Sequence, residues 1–217
     1  QQPGQLAQQA VGPLDVLEQQ TGLSGRELLD HAASLVGAVP LKPATPAPSE
    51  QDRREHAQRE VKFILAGATP AAGTLVEAYF RARGLVLPAS PDLFFHPDLA
   101  DQGGTNRGWP GMVAIVRAAD GTATGGIHRT YLAEDGAGRA AIDRSKRMLG
   151  PVKGGGVWLG DPAATEIAVG EGIETTASGM AIFGAERGCA ALSAGALAEW
   201  QWPSGTTAVL ILADAGD

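Results

Sequence analysis

The 217-residue chain is 44% hydrophobic and 19% charged, which is enough apolar side chain for one large or two small cores and too little charge for wholesale disorder. No apolar run approaches the roughly 20 residues that span a bilayer, and the start QQPGQLAQQA lacks the basic-then-apolar layout of a signal peptide. The expectation is a soluble cytoplasmic protein with no membrane partner.

A single cysteine, Cys189, excludes an internal disulfide, and its setting in CAALSA reads as a buried thiol. Four scattered histidines with that one cysteine give no zinc-type spacing. Any metal is therefore expected on carboxylates. The net charge of -7 averages over unlike regions: Arg107 to Lys153 holds eight Lys/Arg against four acids, whereas Gly154 to Asp217 holds one base against eight acids. A basic stretch followed by an acidic one suits a polyanion held beside a carboxylate site for cations, although solvated faces of an ordinary domain give the same asymmetry.

In chain order, LDVLEQQTGLSGRELLDHAASLVG predicts two short helices broken at Thr21-Gly22, with Ser24 as the second N-cap and Glu27 completing a capping box. Residues 38–50, AVPLKPATPAPSE, carry four prolines and predict a semi-rigid linker. Residues 51–66 predict a charged helix. TLVEAYFRARG predicts another, with Leu75, Ala78, Tyr79 and Phe80 on its buried side and Gly84 at its end. A loop over 86–110 encloses one short strand, Leu93 to His96. MVAIVRAADGTATGGIHRTYL predicts two strands joined at Asp120-Gly121, and GGGVWLG another strand. EIAVGEG, IETTASGMAIFGAE, CAALSAG, a short helix near Leu197 and TAVLILAD then alternate in the β-α-β-α-β rhythm of a parallel sheet. The fold class is α/β, α+β overall, in four parts: helices over 1–37, the linker 38–50, a mixed or antiparallel basic subdomain over 51–160 and a Rossmann-like parallel sheet over 161–217.

Ligands of open parallel sheets bind outside the carboxyl ends of the strands. Glu171 follows the strand Ile167 to Val169 and precedes Gly172; Asp214 ends the strand Ala208 to Ala213, with Asp217 just beyond. Paired carboxylates at neighbouring strand ends repel unless a cation or proton lies between them, and hard oxygen ligands suit magnesium. The bland alternative is that such acids face water or cap the next helix. Glu174 reads that way, as a first-turn acid that complements the helix dipole.

EGIETTAS followed about forty residues on by LILADAGD resembles the Toprim domain shared by bacterial-type primases, topoisomerases and some nucleases. IVRAADGTATGGIHRTYL, SKRMLGP and GGGVWLG resemble the basic subdomain that precedes Toprim in the primase-like proteins of phages and plasmids, and the opening helix pair resembles the segment after their zinc ribbon. The resemblance implies a DNA primase that joins ribonucleotides into short RNA primers on single-stranded DNA during replication. It makes Glu171 the general acid/base and a metal residue, Asp214 a ligand of Mg2+ (or Mn2+) and Asp217 a further candidate. It places Arg129, Lys146, Arg147 and Lys153 on template or nucleotide phosphates, and it implies a helicase and an upstream zinc-ribbon module as partners. The family pattern is Asp-x-Asp, whereas this chain has Asp214-Ala215-Gly216-Asp217. The chain is expected to carry only the first part of the Toprim fold and to be a fragment of a longer protein. Alternatives are a Toprim nuclease and a non-catalytic nucleic-acid-binding or partner-binding module.

Overall fold

The computed structural model describes residues 12–36, 47–101 and 107–213, and the chain divides into two units, Gln1–Ala47 and Pro48–Asp217. Most of the linker expected over 38–50 lies outside the described residues. In the first unit, Pro13 begins α1 (Pro13–Thr21), where its missing N–H is harmless. Gly22, at φ +69°, ends the helix by donating its N–H to the Glu18 carbonyl at 2.8 Å. In α2 (Gly25–Leu35), Ser24 occupies the cap position in extended conformation, but its hydroxyl caps nothing. The capping box with Glu27 does not form: Gly25 follows at φ +57°, outside the right-handed helical region that lets a cap hydroxyl reach the third amide.

The second unit opens with α3 (Glu50–Ala66), where Ser49 accepts the Asp52 amide at 3.1 Å and the Asp52 carboxylate accepts the Ser49 amide at 3.0 Å. The two-residue strand β1 (Thr69–Pro70) leads to α4 (Leu75–Arg81), which buries Val76, Tyr79 and Phe80. Gly84, at φ +69°, closes the turn after it, and the Leu85 amide returns to the Phe80 carbonyl at 3.0 Å. The strand expected at Leu93 to His96 is longer, β2 (Leu93–Ala100), with a bulge between His96 and Leu99 that accommodates Pro97. Next come β3 (Gly108–Ala118) and β4 (Ala123–Tyr131), the expected hairpin. Gly121 supplies the positive φ of +85° that its turn requires.

Then follow β5 (Lys146–Leu149), which the sequence reading missed, and β6 (Gly155–Gly160). β7 (Glu166–Gly170), α5 (Ile173–Phe183), β8 (Arg187–Ala190), α6 (Ala194–Ala198) and β9 (Ala208–Leu212) complete the described chain.

The described strands form one sheet in the order β1-β2-β3-β6-β8-β7-β9, with β4 and β5 continuing from β3 as a branch. β3 makes the junction. Along one edge it pairs antiparallel with β4, and along the other with β2 at its beginning and then with β6 through Arg117 and Ala118. Where β2 gives way to β6, Arg117 Nε donates to both carboxylate oxygens of buried Asp92, at 2.7 and 2.9 Å. β8, β7 and β9 are mutually parallel, with β7 between the other two, and β6 joins β8 antiparallel. The fold is thus mixed α/β, α+β overall.

Period-two alternation divides β3 between two cores. Met112, Ala114 and Val116 pack with the buried side of α4 and with Ile173 and Ala177 of α5, whereas Val113 packs with Val61 and Ile64 of α3. Being buried on both faces explains the unbroken apolar run MVAIV. In the parallel part, Ile167, Val169 and Cys189 form a third cluster, against which Trp158, Leu197 and Trp200 pack. Burial pushes the Cys189 thiol up to about 12, in keeping with an inert core residue.

Candidate nucleic-acid and metal site

β7 is short and apolar because it lies inside the parallel sheet, and the chain emerges from it at Gly170-Glu171. Glu171 is exposed, and Gly172 immediately serves as the N-cap residue of α5. Register pairs Gly170 with Leu212 of β9, so the ends of the first and third parallel strands lie side by side. Asp214 and Asp217 lie outside the described residues. Glu171 is the one member of the expected acidic set that is described, and among the described residues no group of three or more His, Cys, Asp or Glu could hold a metal.

Glu171, Gly172, Ile173 and Thr175 line a cavity of about 150 Å³ whose other walls are His128, Lys146 and Leu192. A larger groove, about 540 Å³, shares those three residues and adds Arg129, Arg144, Arg147 and Met148. A third, about 820 Å³, shares Met148 and Leu192 and reaches Lys153 and Trp200. The three cavities share Leu192 in their walls, and five basic side chains, Arg129, Arg144, Lys146, Arg147 and Lys153, line one or another of them. Leu192, common to all three, has φ +76°, a strained value for a branched-chain residue. Its amide donates to the Glu171 carbonyl at 2.8 Å, which ties this strained turn to the end of β7.

The basic residues singled out in the sequence occupy unlike environments. β5 pairs Lys146 with Thr130, Arg147 with Arg129 and Met148 with His128. Directly paired residues share a face and consecutive residues do not, so Lys146 lies on the face of His128 while Arg129 and Arg147 occupy the opposite one. Arg129 is 3% exposed and 3.9 Å from Glu60 of α3, and its Nε has no hydrogen-bond partner among the described residues. Arg147 donates to buried Asp101 at 2.8 Å and lies over the Tyr131 ring. Lys153 is exposed in the turn before β6.

Glu174 does more than complement the helix dipole. Its Oε1 accepts from the Tyr79 hydroxyl at 2.5 Å and its Oε2 from Lys146 Nζ at 2.9 Å. Burial opposes its charge, but the Lys146 ammonium and the Tyr79 hydroxyl prevail and hold the carboxyl at about 2. Burial, together with Glu174, pushes the Tyr79 hydroxyl up, so Tyr79 remains a donor. His128 is 6% exposed, and burial, aided by Lys146, lowers its imidazole to about 4. The sequence reading missed Tyr79, Glu174 and His128 as members of this site. His128 stands in the singled-out GIHRTYL, one residue before Arg129; the pairing of Glu174 with a tyrosine 95 positions earlier leaves no local signal.

Residues 166–217 match the Toprim domain family. The chain contains a Toprim domain. Upstream of the Toprim match, residues 53–159 match a domain of unknown function (DUF7146). No curated protein and no solved structure compared with the chain gave a match. A Toprim domain implies a nucleic-acid-processing role and is typically metal-dependent, with magnesium as its usual ion. Among the described residues no helix is long and apolar enough to cross a membrane.

Proposed function

We propose that the protein is a primase-type nucleotidyltransferase that makes short RNA primers on single-stranded DNA, in the manner of the primase-like proteins of phages and plasmids. The reading is carried by one observation: Glu171, just after β7, lines a cavity that shares the walls His128, Lys146 and Leu192 with a basic groove. That adjacency provides for a polyanion and a reacting phosphate together. Its parts are the helical segment 1–37, the linker 38–50, the basic subdomain 51–160 and the Toprim portion 161–217, working in the cytoplasm beside a helicase and a zinc-ribbon module.

Glu171 acts as the general acid/base, taking the proton from the 3'-hydroxyl of one ribonucleotide as that oxygen attacks the α-phosphate of the next and pyrophosphate leaves. Glu171 is a hard, exposed oxygen donor beside the end of β9, which fits a divalent ion; Asp214 and Asp217 are the further ligands we assign. Magnesium bound there would neutralise charge developing on the phosphate oxygens. Lys146 presents its ammonium beside the Cβ direction of Gly172, 3.8 Å away, where it meets a phosphate entering the cavity. Lys153, Arg147 and Arg129 extend the positive lining for the template or the incoming nucleotide, with Arg129 and Arg147 also held by acids of the protein.

The test is incubation of the protein with single-stranded DNA, ribonucleotides and magnesium. Labelled primers are expected from the wild type and none from Glu171→Gln. Absence of primers, or equal synthesis by the variant, overturns the reading; degradation of labelled DNA without nucleotides would mark a nuclease instead.

A further inference from the structure

His128 is the one histidine that lines the cavities beside Glu171, and it belongs to both the small cavity and the basic groove. It lies on the β4 face that also carries Leu132, which packs with apolar Met112 and Val116 of β3. An imidazole here differs from that company: it is more than nine-tenths buried, and its Nδ1 has no hydrogen-bond partner among the described residues. A histidine kept for internal bonding would have one on that nitrogen, and a position needed only for packing would be served by leucine or valine.

The chemistry follows from the orphaned atom. A neutral imidazole carries one donor and one acceptor, and buried orphan donors are rarer than orphan acceptors. The proton therefore belongs on Nε2. Burial and the neighbouring Lys146 keep the ring neutral, so it offers a fixed N–H donor without adding a charge. Beside it, Lys146 is prevented from swinging away by its 2.9 Å bond to Glu174, which the Tyr79 hydroxyl anchors in turn. The first turn of α5, at Gly172, Ile173 and Thr175, lines the same cavity and brings the positive end of a helix of 11 residues. Among the described residues Glu171 is the one acid on this lining.

We propose that His128 is a ligand-contacting residue: its Nε2–H donates to an oxygen of a nucleotide phosphate seated between Lys146 and the start of α5. Glu174 and Tyr79 are positioning residues that act through Lys146. The inference rests on the nucleotide reading above but concerns binding alone, so it is tested without turnover.

ATP is the probe, titrated calorimetrically in magnesium at fixed ionic strength into the wild type, His128→Gln and His128→Leu. Thermal melting accompanies each titration, and nitrogen-15 imidazole spectra are recorded with and without ATP. Glutamine restores an amide donor near the Nε2 position, whereas leucine fills the space alone. The leucine variant is expected to bind ATP at least about 10-fold more weakly with its melting point unchanged or raised. The glutamine variant should stay within about 3-fold of wild type, and the Nε2–H resonance should move on addition of ATP. Wild-type affinity in the leucine variant, equal weakening of both variants with equal loss of melting temperature, or no ATP binding by the wild type each overturns the assignment. Should the leucine variant not fold, an Nε2–H resonance unmoved by saturating ATP does so. Loss of affinity on removing the donor, in a protein that makes no primers, would sink the primase reading and leave this one standing.

Discussion

Both faces of the β4-β5 pair carry cations and use them differently. On one face Arg129 and Arg147 meet Glu60 and Asp101, acids supplied by α3 and by the residue after β2. On the other, Lys146 is fixed by Glu174 yet lines the cavity of Glu171, beside a neutral histidine. One face uses its cations chiefly to attach neighbouring elements to the sheet, and the other positions a cation where a phosphate can reach it. A cluster of basic residues in a sequence is therefore no measure of a binding surface until the strand period has sorted it.

The sharpest test of this contrast is chemical. Glu171→Gln should lower primer synthesis by at least about 100-fold, the scale of a lost general acid/base, with an unchanged melting point, measured by labelled-primer yield. On the opposite face, Arg147→Met should lower the unfolding free energy by about 3 kcal/mol in urea titration, since it strips buried Asp101 of a charged partner. Its effect on nucleotide affinity should be smaller than that of Lys146→Met. If both substitutions weaken binding equally without altering stability, the division between the faces fails.

A smaller effect is expected from loosening the lysine. Glu174→Gln and Tyr79→Phe should raise KM for ribonucleotides about 10-fold and about 3-fold while leaving kcat nearly intact, as loss of positioning rather than chemistry requires.

Stability against pH separates two members of the site. His128 has a folded value lowered to about 4 from 6.5, and Glu174 one lowered to about 2 from 4.5. For both, the unfolded chain binds the proton more readily, so each contribution is full above the unfolded value and is lost as pH falls. Urea midpoints should drop between about pH 6.5 and 4 through His128 and between about 4.5 and 2 through Glu174. His128→Leu should flatten the upper range and Glu174→Gln the lower. The least effect is expected at the strained turn: Leu192→Gly removes a positive-φ penalty and also a partly buried side chain, so the melting point should move by only a degree or two.

Much of the scaffold was legible because its signals are local. The turn at Asp120-Gly121 announced the hairpin, and the spacing of apolar segments after Glu166 announced the parallel strands. β5 was not legible: KRML shows no apolar alternation, since among the described strands it pairs with β4 alone and its side chains meet charged groups from other elements. The Tyr79–Glu174–Lys146 arrangement was hidden for a different reason. It joins α4, α5 and β5, and only packing brings such distant positions together. Glu171 was visible as an acid at a strand end, whereas the company it keeps at His128 was not.

The strand β6, Gly155–Gly160, closes the first family match, which ends at residue 159. Its longest partner is nevertheless β8, inside the Toprim stretch, and its other partner is β3. The border between the two sequence families therefore runs through a hydrogen-bonded ladder. Dividing the chain after Gly160 would leave β8 with β7 on one edge and nothing on the other, and would strip β6 of the strand it pairs with longest. The two pieces, made separately, should aggregate and regain solubility only when produced together.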